Sequence, residues 1–298
     1  MNHHITRRGL GALAGGLLLS GTALARPDVT YIKRAIPHTN DRVPGVGLGT
    51  ATVFNTNDEA TRTKADAVIT ALLNSGCQLI DTAAAYGEAE SVIGEVIAAK
   101  HLRDRVFIAT KIRAPEREQL QNSLTRLKTD SVDLLQLHNV KDPQQSLERF
   151  REWKQQGLCR YIGITSTFHD DYPAVIAILE RERPDFVQID YSLDNREVEK
   201  TILPLAGDIG AAVLTALPFG KGRLFRAVKG RDVPEWARMF APTWAQFFLK
   251  FLLADQRILA VIPGTSDAAH MTDNTGAVHG PLPSHEQRQR MVEFIATL

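Results

Sequence analysis

Eight short apolar runs recur along the chain, spaced so that one helix fits between each pair. They are Gly45–Thr50, Gln78–Asp81, Val106–Lys111, Val132–His138, Tyr161–Thr165, Phe186–Asp190, Ala211–Thr215 and Leu259–Ile262. A near-continuous apolar run suits a strand buried on both faces, and such strands belong to parallel sheets covered by helices. The stretches between them have amphipathic spacing: Glu88–Lys100, Arg117–Lys128, Pro143–Gln156, Asp171–Arg181, Glu197–Asp208, a Trp-bearing segment at Pro234–Ala254, and Ala268–Thr275. Eight such units in about 250 residues match a closed (β/α)8 TIM barrel. The alternative is an open doubly wound sheet, which carries GxGxxG between its first strand and helix. Here the first run reads Gly45-Val-Gly-Leu-Gly-Thr50 and continues Ala-Thr-Val-Phe54 instead of entering a helix. The expected fold is therefore the barrel, preceded by an N-terminal β-hairpin and followed by a short C-terminal helix within Ser284–Leu298.

A chain of 298 residues with 44% hydrophobic and 23% charged content can bury a sizeable core, and it is no collagen, coiled coil or disordered chain. Lys+Arg of 35 against Asp+Glu of 34 leaves no electrostatic footprint for nucleic acid. Cys77 and Cys159 rule out a disulfide scaffold and a CxxC zinc site. They precede the second and fifth strands, which are not barrel neighbours, so two free buried thiols are expected. Trp153, Trp236, Trp244, Phe247, Phe248 and Phe251 stand at helical spacings and read as core.

The N-terminus reads as an address. Arg7-Arg8 precede a weakly apolar, Gly-rich stretch that ends in Ala23-Leu24-Ala25, a small-residue cleavage pattern. Paired arginines before a modest hydrophobic core are the mark of twin-arginine export. About ten apolar residues are too few for a span of roughly 20. Residues 1–25 are thus expected to be a signal peptide handed to the twin-arginine translocase, and residues 26–298 a periplasmic barrel, cytoplasmic if the signal is not used.

In such a barrel the C-terminal strand ends face the active site. Here they carry Asp81, Lys111, His138, Thr165 with Ser166, and Gln188, and Tyr86 follows Asp81 by five residues. A phenol is a poor acid at neutral pH, but a neighbouring ammonium lowers its pKa, and a carboxylate keeps that ammonium charged and aimed. A neutral imidazole beside the phenol can orient a carbonyl oxygen. Together these groups make a general acid for carbonyl reduction or a base for alcohol oxidation with no metal required, and no cluster of metal ligands stands at the strand ends.

Ile80-Asp81-Thr-Ala-Ala-Ala-Tyr86-Gly87 resembles the Asp-Thr-Ala-x-x-Tyr-Gly signature of the aldo-keto reductase family. Ala109-Thr-Lys111 and Leu135-Gln-Leu-His138 are similar to its lysine and histidine strand ends, and Val43–Thr50 and Ile262–Asn274 extend the likeness over roughly residues 30–280. Val132–Val140 is similar to a bacterial branch whose members often carry export signals. The resemblance implies Tyr86 as proton donor, tuned by Lys111 and Asp81, with His138 orienting the substrate carbonyl.

It also implies a cofactor, NADP(H) or NAD(H). Its carboxamide would meet Thr165, Ser166 and Gln188, although Thr-Ser stands where the family has Ser-Asn. Its pyrophosphate would lie along Leu217-Pro218-Phe219-Gly220-Lys-Gly222-Arg-Leu224, with Ala216 where the family often has a stacking Tyr. The resemblance further implies Gly49, Thr50, Ala51 and Asp81 as cofactor-binding residues, together with Gly264, Thr265, Ser266, His270 and Asn274. Asp267 and His270 stand where NADP(H)-preferring members place Lys or Arg, so weak discrimination between NADPH and NADH is expected.

The function implied is reduction of aldehydes or ketones by hydride transfer, in a monomer. A cofactor-binding but weakly catalytic sensor or accessory protein is the alternative, and a barrel isomerase or lyase a third. The chain lacks the long C-terminal substrate loop of some family members, so an open pocket is expected, with Phe54, Phe168 and Phe219 at its mouth favouring apolar or small carbonyl compounds.

Overall fold

The computed structural model describes Met1 and residues 31–298. The twin-arginine stretch and its cleavage pattern lie outside the described residues.

An antiparallel hairpin, β1 (Lys33–Ala35) and β2 (Arg42–Pro44), precedes eight parallel strands. These are β3 (Gly47–Gly49), β4 (Leu79–Asp81), β5 (Phe107–Ile112), β6 (Val132–His138), β7 (Cys159–Ser166), β8 (Phe186–Asp190), β9 (Ala212–Ala216) and β10 (Ile258–Val261). From β3 to β10, neighbours in sequence are neighbours in space. Parallel bridges Val46–Val261 and Gly49–Gly264 close the ring, with Val261 N–H donating to the Gly45 carbonyl and Gly49 N–H to that of Pro263, both at 2.9 Å. Close packing on both sides of β3 explains two of the alternating glycines, Gly47 against β4 and Gly49 at the seam. A Cβ on Gly47 would lie 2.9 Å from the Leu79 side chain, and one on Gly49 would lie 3.0 Å from Cγ2 of Ile262. At these two positions the glycines permit close strand approach.

Around the barrel run α1 (Glu59–Asn74), α2 (Ala89–Ala99), α3 (Arg117–Leu127), α4 (Glu148–Gln155), α5 (Tyr172–Glu182), α6 (Ile202–Ile209), α7 (Arg223–Ala227), α8 (Glu235–Arg238), α9 (Trp244–Leu253), α10 (Ala268–Gly276) and α11 (His285–Ala296). Three expected helices are shorter or split. The 143–156 stretch becomes helical only at Glu148, because Asp142 and Ser146 accept from the backbone N–H groups of Gln144 and Glu148, a local alternative to helix. The 197–208 stretch splits before α6, since Pro204 has no N–H for the Lys200 carbonyl. Pro242 separates α8 from α9 in the same way.

Two apolar layers result. Inside the ring, Leu79, Phe107, Leu134, Tyr161, Phe186 and Leu214 pack together, and Ile36 and Val43 of the hairpin plug the end opposite the strand C-termini. Outside it, the apolar faces of the helices cover the strands, with Trp153, Phe247, Phe248 and Phe251 buried among them. Cys77 and Cys159 are buried free thiols, and burial pushes Cys159 up to about 12, which leaves no thiolate at neutral pH.

Candidate active site

The strand register brings the chemistry together at one end. Asp81 closes β4, Lys111 is the penultimate residue of β5 and His138 closes β6. The Lys111 ammonium donates to both Asp81 carboxylate oxygens, at 2.8 and 2.7 Å, and to the Thr82 carbonyl at 2.8 Å. Its three protons are thereby used, and Lys111 and Asp81 are only 1% and 4% exposed. The ammonium lies 5.0 Å from the centre of the Tyr86 ring. That ring meets His138 edge to face, with centroids 5.6 Å apart at 82°. All four candidate catalytic residues share one cluster.

Electrostatics correct one expectation. Burial works against the Lys111 ammonium, but Asp81 and Tyr86 outweigh it and hold its pKa above the ordinary value. Burial likewise raises the Tyr86 phenol; Lys111 pulls it down, Asp81 pushes it up, and the net direction is upward. Lys111 does not lower the phenol below its ordinary value, because burial is the larger effect and Asp81 already neutralises the ammonium. Tyr86 therefore keeps its proton at neutral pH.

His138 is depressed from 6.5 to about 4, by burial first and then by Lys111 and Arg113. Its imidazole is neutral through the physiological range. An NMR titration of the His138 ring should show a midpoint near 4, and one at 6 or above would contradict this environment. The sign for stability follows. The folded value lies below the unfolded one, so the contribution is complete above 6.5 and is lost as pH falls through about 4.

The facing wall is polar too. Gln188 on β8 accepts from Gln136 Nε2 at 3.1 Å, across β7, where Gly163 leaves room. Gln136 Oε1 is buried without a partner among the described residues. Thr165 is buried beside Gln188 in the register. The Ser166 hydroxyl donates to Asp171 at 2.6 Å and accepts from Phe168 N–H at 3.2 Å, so one lone pair and no proton remains for a ligand.

After β9, Leu217, Gly220, Lys221 and Gly222 all have positive φ, from 54° to 80°. The N–H groups of Gly220 and Gly222 close turns onto Leu217 and Phe219. A Cβ on Gly220 would lie 2.9 Å from Asp194 Oδ1, in the way of the Arg223–Asp194 pair that clamps the loop at 2.9 Å. Pro218 and Leu224 are buried beneath this loop.

Past β10, Asp267 caps α10 by accepting from Ala269 and His270 N–H at 2.7 and 3.2 Å. Thr265 and Asn274 are buried there, while Gly264 and His270 are exposed and Ser266 half-buried. Thr50 is committed elsewhere: its N–H and hydroxyl both donate to the Asp81 carbonyl, at 3.1 and 3.0 Å. Gly49 N–H is taken by the closure seam, and of that trio only Ala51 is exposed.

Phe54 is not at the mouth; it is fully buried in the outer core, whereas Phe168 is 51% exposed and Phe219 half-buried. An aromatic in a polar loop gives no sign of which way it turns. Asp171, the partner of Ser166, stands in the sequence at the start of a helical stretch, where spacing gives no sign of that contact. Gln136 carried a usable signal, since it alternates with Leu134 and His138 on the inward face.

Residues 45–294 match the Aldo/keto reductase family. The aldo-keto reductase YhdN of Bacillus subtilis is 32% identical over 198 residues, 58% of this chain and 58% of that protein, less than two thirds of its length. Methylglyoxal reductase YeaE of Escherichia coli is 28% identical over 257 residues, 82% of this chain and 88% of that one. The crystal structure of an aldo/keto reductase from Klebsiella pneumoniae in complex with NADP and acetate aligns with a TM-score of 0.74 at 28% identity, over 85% of this chain and 92% of its own. With the family pattern running through nearly the whole barrel and through every strand end described above, the chain belongs to the aldo/keto reductase family.

Proposed function

We propose that this protein reduces aldehydes or ketones to alcohols by hydride transfer from NADP(H), with Tyr86 as general acid. The observation that carries this reading is the buried Asp81–Lys111 pair, with the Tyr86 phenol above it and a neutral His138 against the phenol. His138 donates a hydrogen bond that orients the substrate carbonyl. Tyr86 gives its proton to the carbonyl oxygen, and Lys111 stabilises the phenolate left behind. Asp81 keeps Lys111 charged and fixes where it points.

The residues present fit a nicotinamide. The unpartnered Gln136 Oε1 and the Gln188 carboxamide together offer an acceptor and a donor to a primary amide. Thr165, Ser166 and Gln188 would hold that amide, the 217–224 loop the pyrophosphate and the 264–274 segment the adenosine end. When bound, the cofactor supplies the hydride. The Klebsiella pneumoniae protein crystallised with NADP, and the name of the Escherichia coli methylglyoxal reductase, support the same reading.

Asp267 sets the expected selectivity. It is an exposed carboxylate fixed by its own cap, and it disfavours a neighbouring 2′-phosphate. Titrating the folded protein with NADPH and with NADH at low salt, by cofactor fluorescence, should show saturable binding of both. Their dissociation constants should differ by less than about a hundredfold. A larger preference for NADPH would refute weak discrimination alone. Binding of neither by a folded protein would overturn the function.

A further inference from the structure

Glu90 has no part in the chemistry proposed above, yet it lies buried directly behind it. It is the second residue of α2 and 1% exposed. Its Oε1 accepts from the Thr110 hydroxyl at 2.5 Å, and its Oε2 accepts from Arg126 Nε and Nη2 at 2.9 and 2.7 Å. Thr110 is the residue before Lys111 on β5, and Arg126 is near the end of α3. One turn further along α2, Gly94 allows this contact, since a Cβ there would lie 2.2 Å from the Arg126 carbonyl oxygen. One carboxylate thus joins α2, β5 and α3.

The segment between Asp81 and Glu90 explains the need for a tether. Thr82 and Ala84 N–H groups donate to the Ala109 and Lys111 carbonyls at 2.9 and 3.0 Å, which fixes the chain as far as Ala84. Beyond that, Tyr86 N–H reaches only Ala83, and Ala89 N–H reaches only Tyr86. Ala85, Gly87 and Glu88 are exposed. The next bond back to β5 is that of Glu90. Tyr86 is therefore held from both flanks by adjacent residues of one strand, Lys111 on one side and Thr110 on the other. Charge burial alone does not account for Glu90, because a buried ion pair contributes little net stability compared with a well-packed apolar replacement.

We propose that Glu90 is a positioning residue, its bridge to Thr110 and Arg126 holding the Tyr86 phenol in register with Lys111. The proposal rests on the assignment of Tyr86 as the acid. A displacement of about 1 Å in a reacting group lowers a rate by about 10²-fold.

The test uses the full chain, NADPH and methylglyoxal. Thr110→Val, which keeps the volume and removes the donor, and Glu90→Leu should each lower kcat by about 10- to 100-fold. KM for the aldehyde and Kd for NADPH should stay within about threefold, since binding contacts are untouched. Glu90→Gln retains an acceptor for Thr110 and should keep kcat within about threefold of wild type. A folded Thr110→Val enzyme with wild-type kcat overturns the proposal, and this variant decides the matter if Glu90→Leu does not fold. A second readout is independent of turnover. With ring-labelled tyrosine, the Tyr86 resonance, identified by its loss in Tyr86→Phe, should shift in Thr110→Val and stay in place in Glu90→Gln. An unmoved resonance in Thr110→Val overturns the tether. A wild-type protein that binds NADPH but reduces nothing, or an active Tyr86→Phe, instead overturns the proposed function.

Discussion

Tyr86→Phe should lower carbonyl reduction by about 10²- to 10⁴-fold, the range that a positioned general acid supplies. Cofactor affinity should be nearly unchanged. The substitution removes one oxygen and leaves the ring where it is, edge-on to His138 and over Lys111. A thousandfold loss corresponds to about 4 kcal/mol of transition-state stabilisation. Because burial raises the phenol above its ordinary value, Tyr86 is protonated at neutral pH and ready to act as an acid. The reverse reaction, which needs phenolate, should therefore accelerate as pH rises, while reduction is favoured at and below neutrality. Steady-state assays of purified wild type and variant, beside NADPH titrations of both, check each part. Residual activity above a tenth of wild type would remove Tyr86 from the role.

The barrel was legible because each of its eight strands is an apolar run with a polar residue or loop at its C-terminal end, as at Asp81, Lys111 and His138. Strand ends also order the site, so the four clustered residues could be read together. Helix boundaries were harder, because Asp142, Ser146 and Pro204 act through local bonds made or lost, which hydrophobic spacing does not register. Burial was harder still. The direction of the Tyr86 shift depends on how deeply the phenol lies, and Phe54 reads the same whether it faces a pocket or the core. Glu90 shows the limit most clearly. In sequence, a glutamate in the first turn of a helix is an ordinary partner for the helix dipole. Only the close approach of α2 to α3 at Gly94 makes it a buried link to β5. Ser166 is similar, since its hydroxyl donates a hydrogen bond to Asp171, five residues away.

Lys111→Met should remove activity and stability together, and the two losses can be separated. Methionine fills similar space but leaves the Asp81 carboxylate buried at 4% exposure without its cation. Breaking a buried pair in this way costs about 3–5 kcal/mol. The dominant cost in the variant is that of a buried charge left without its partner. Urea unfolding of wild type and variant at neutral pH measures this directly. Adding Asp81→Asn removes the stranded charge and should recover most of the stability. It should recover none of the activity, because Tyr86 would still have no cation to stabilise its phenolate. A double variant that regained both would mean that the pair serves only to hold the barrel mouth together. A Lys111→Met protein as stable as wild type at neutral pH would mean that Asp81 finds another partner or water, and that the cluster is far less constrained than three hydrogen bonds from one buried ammonium require.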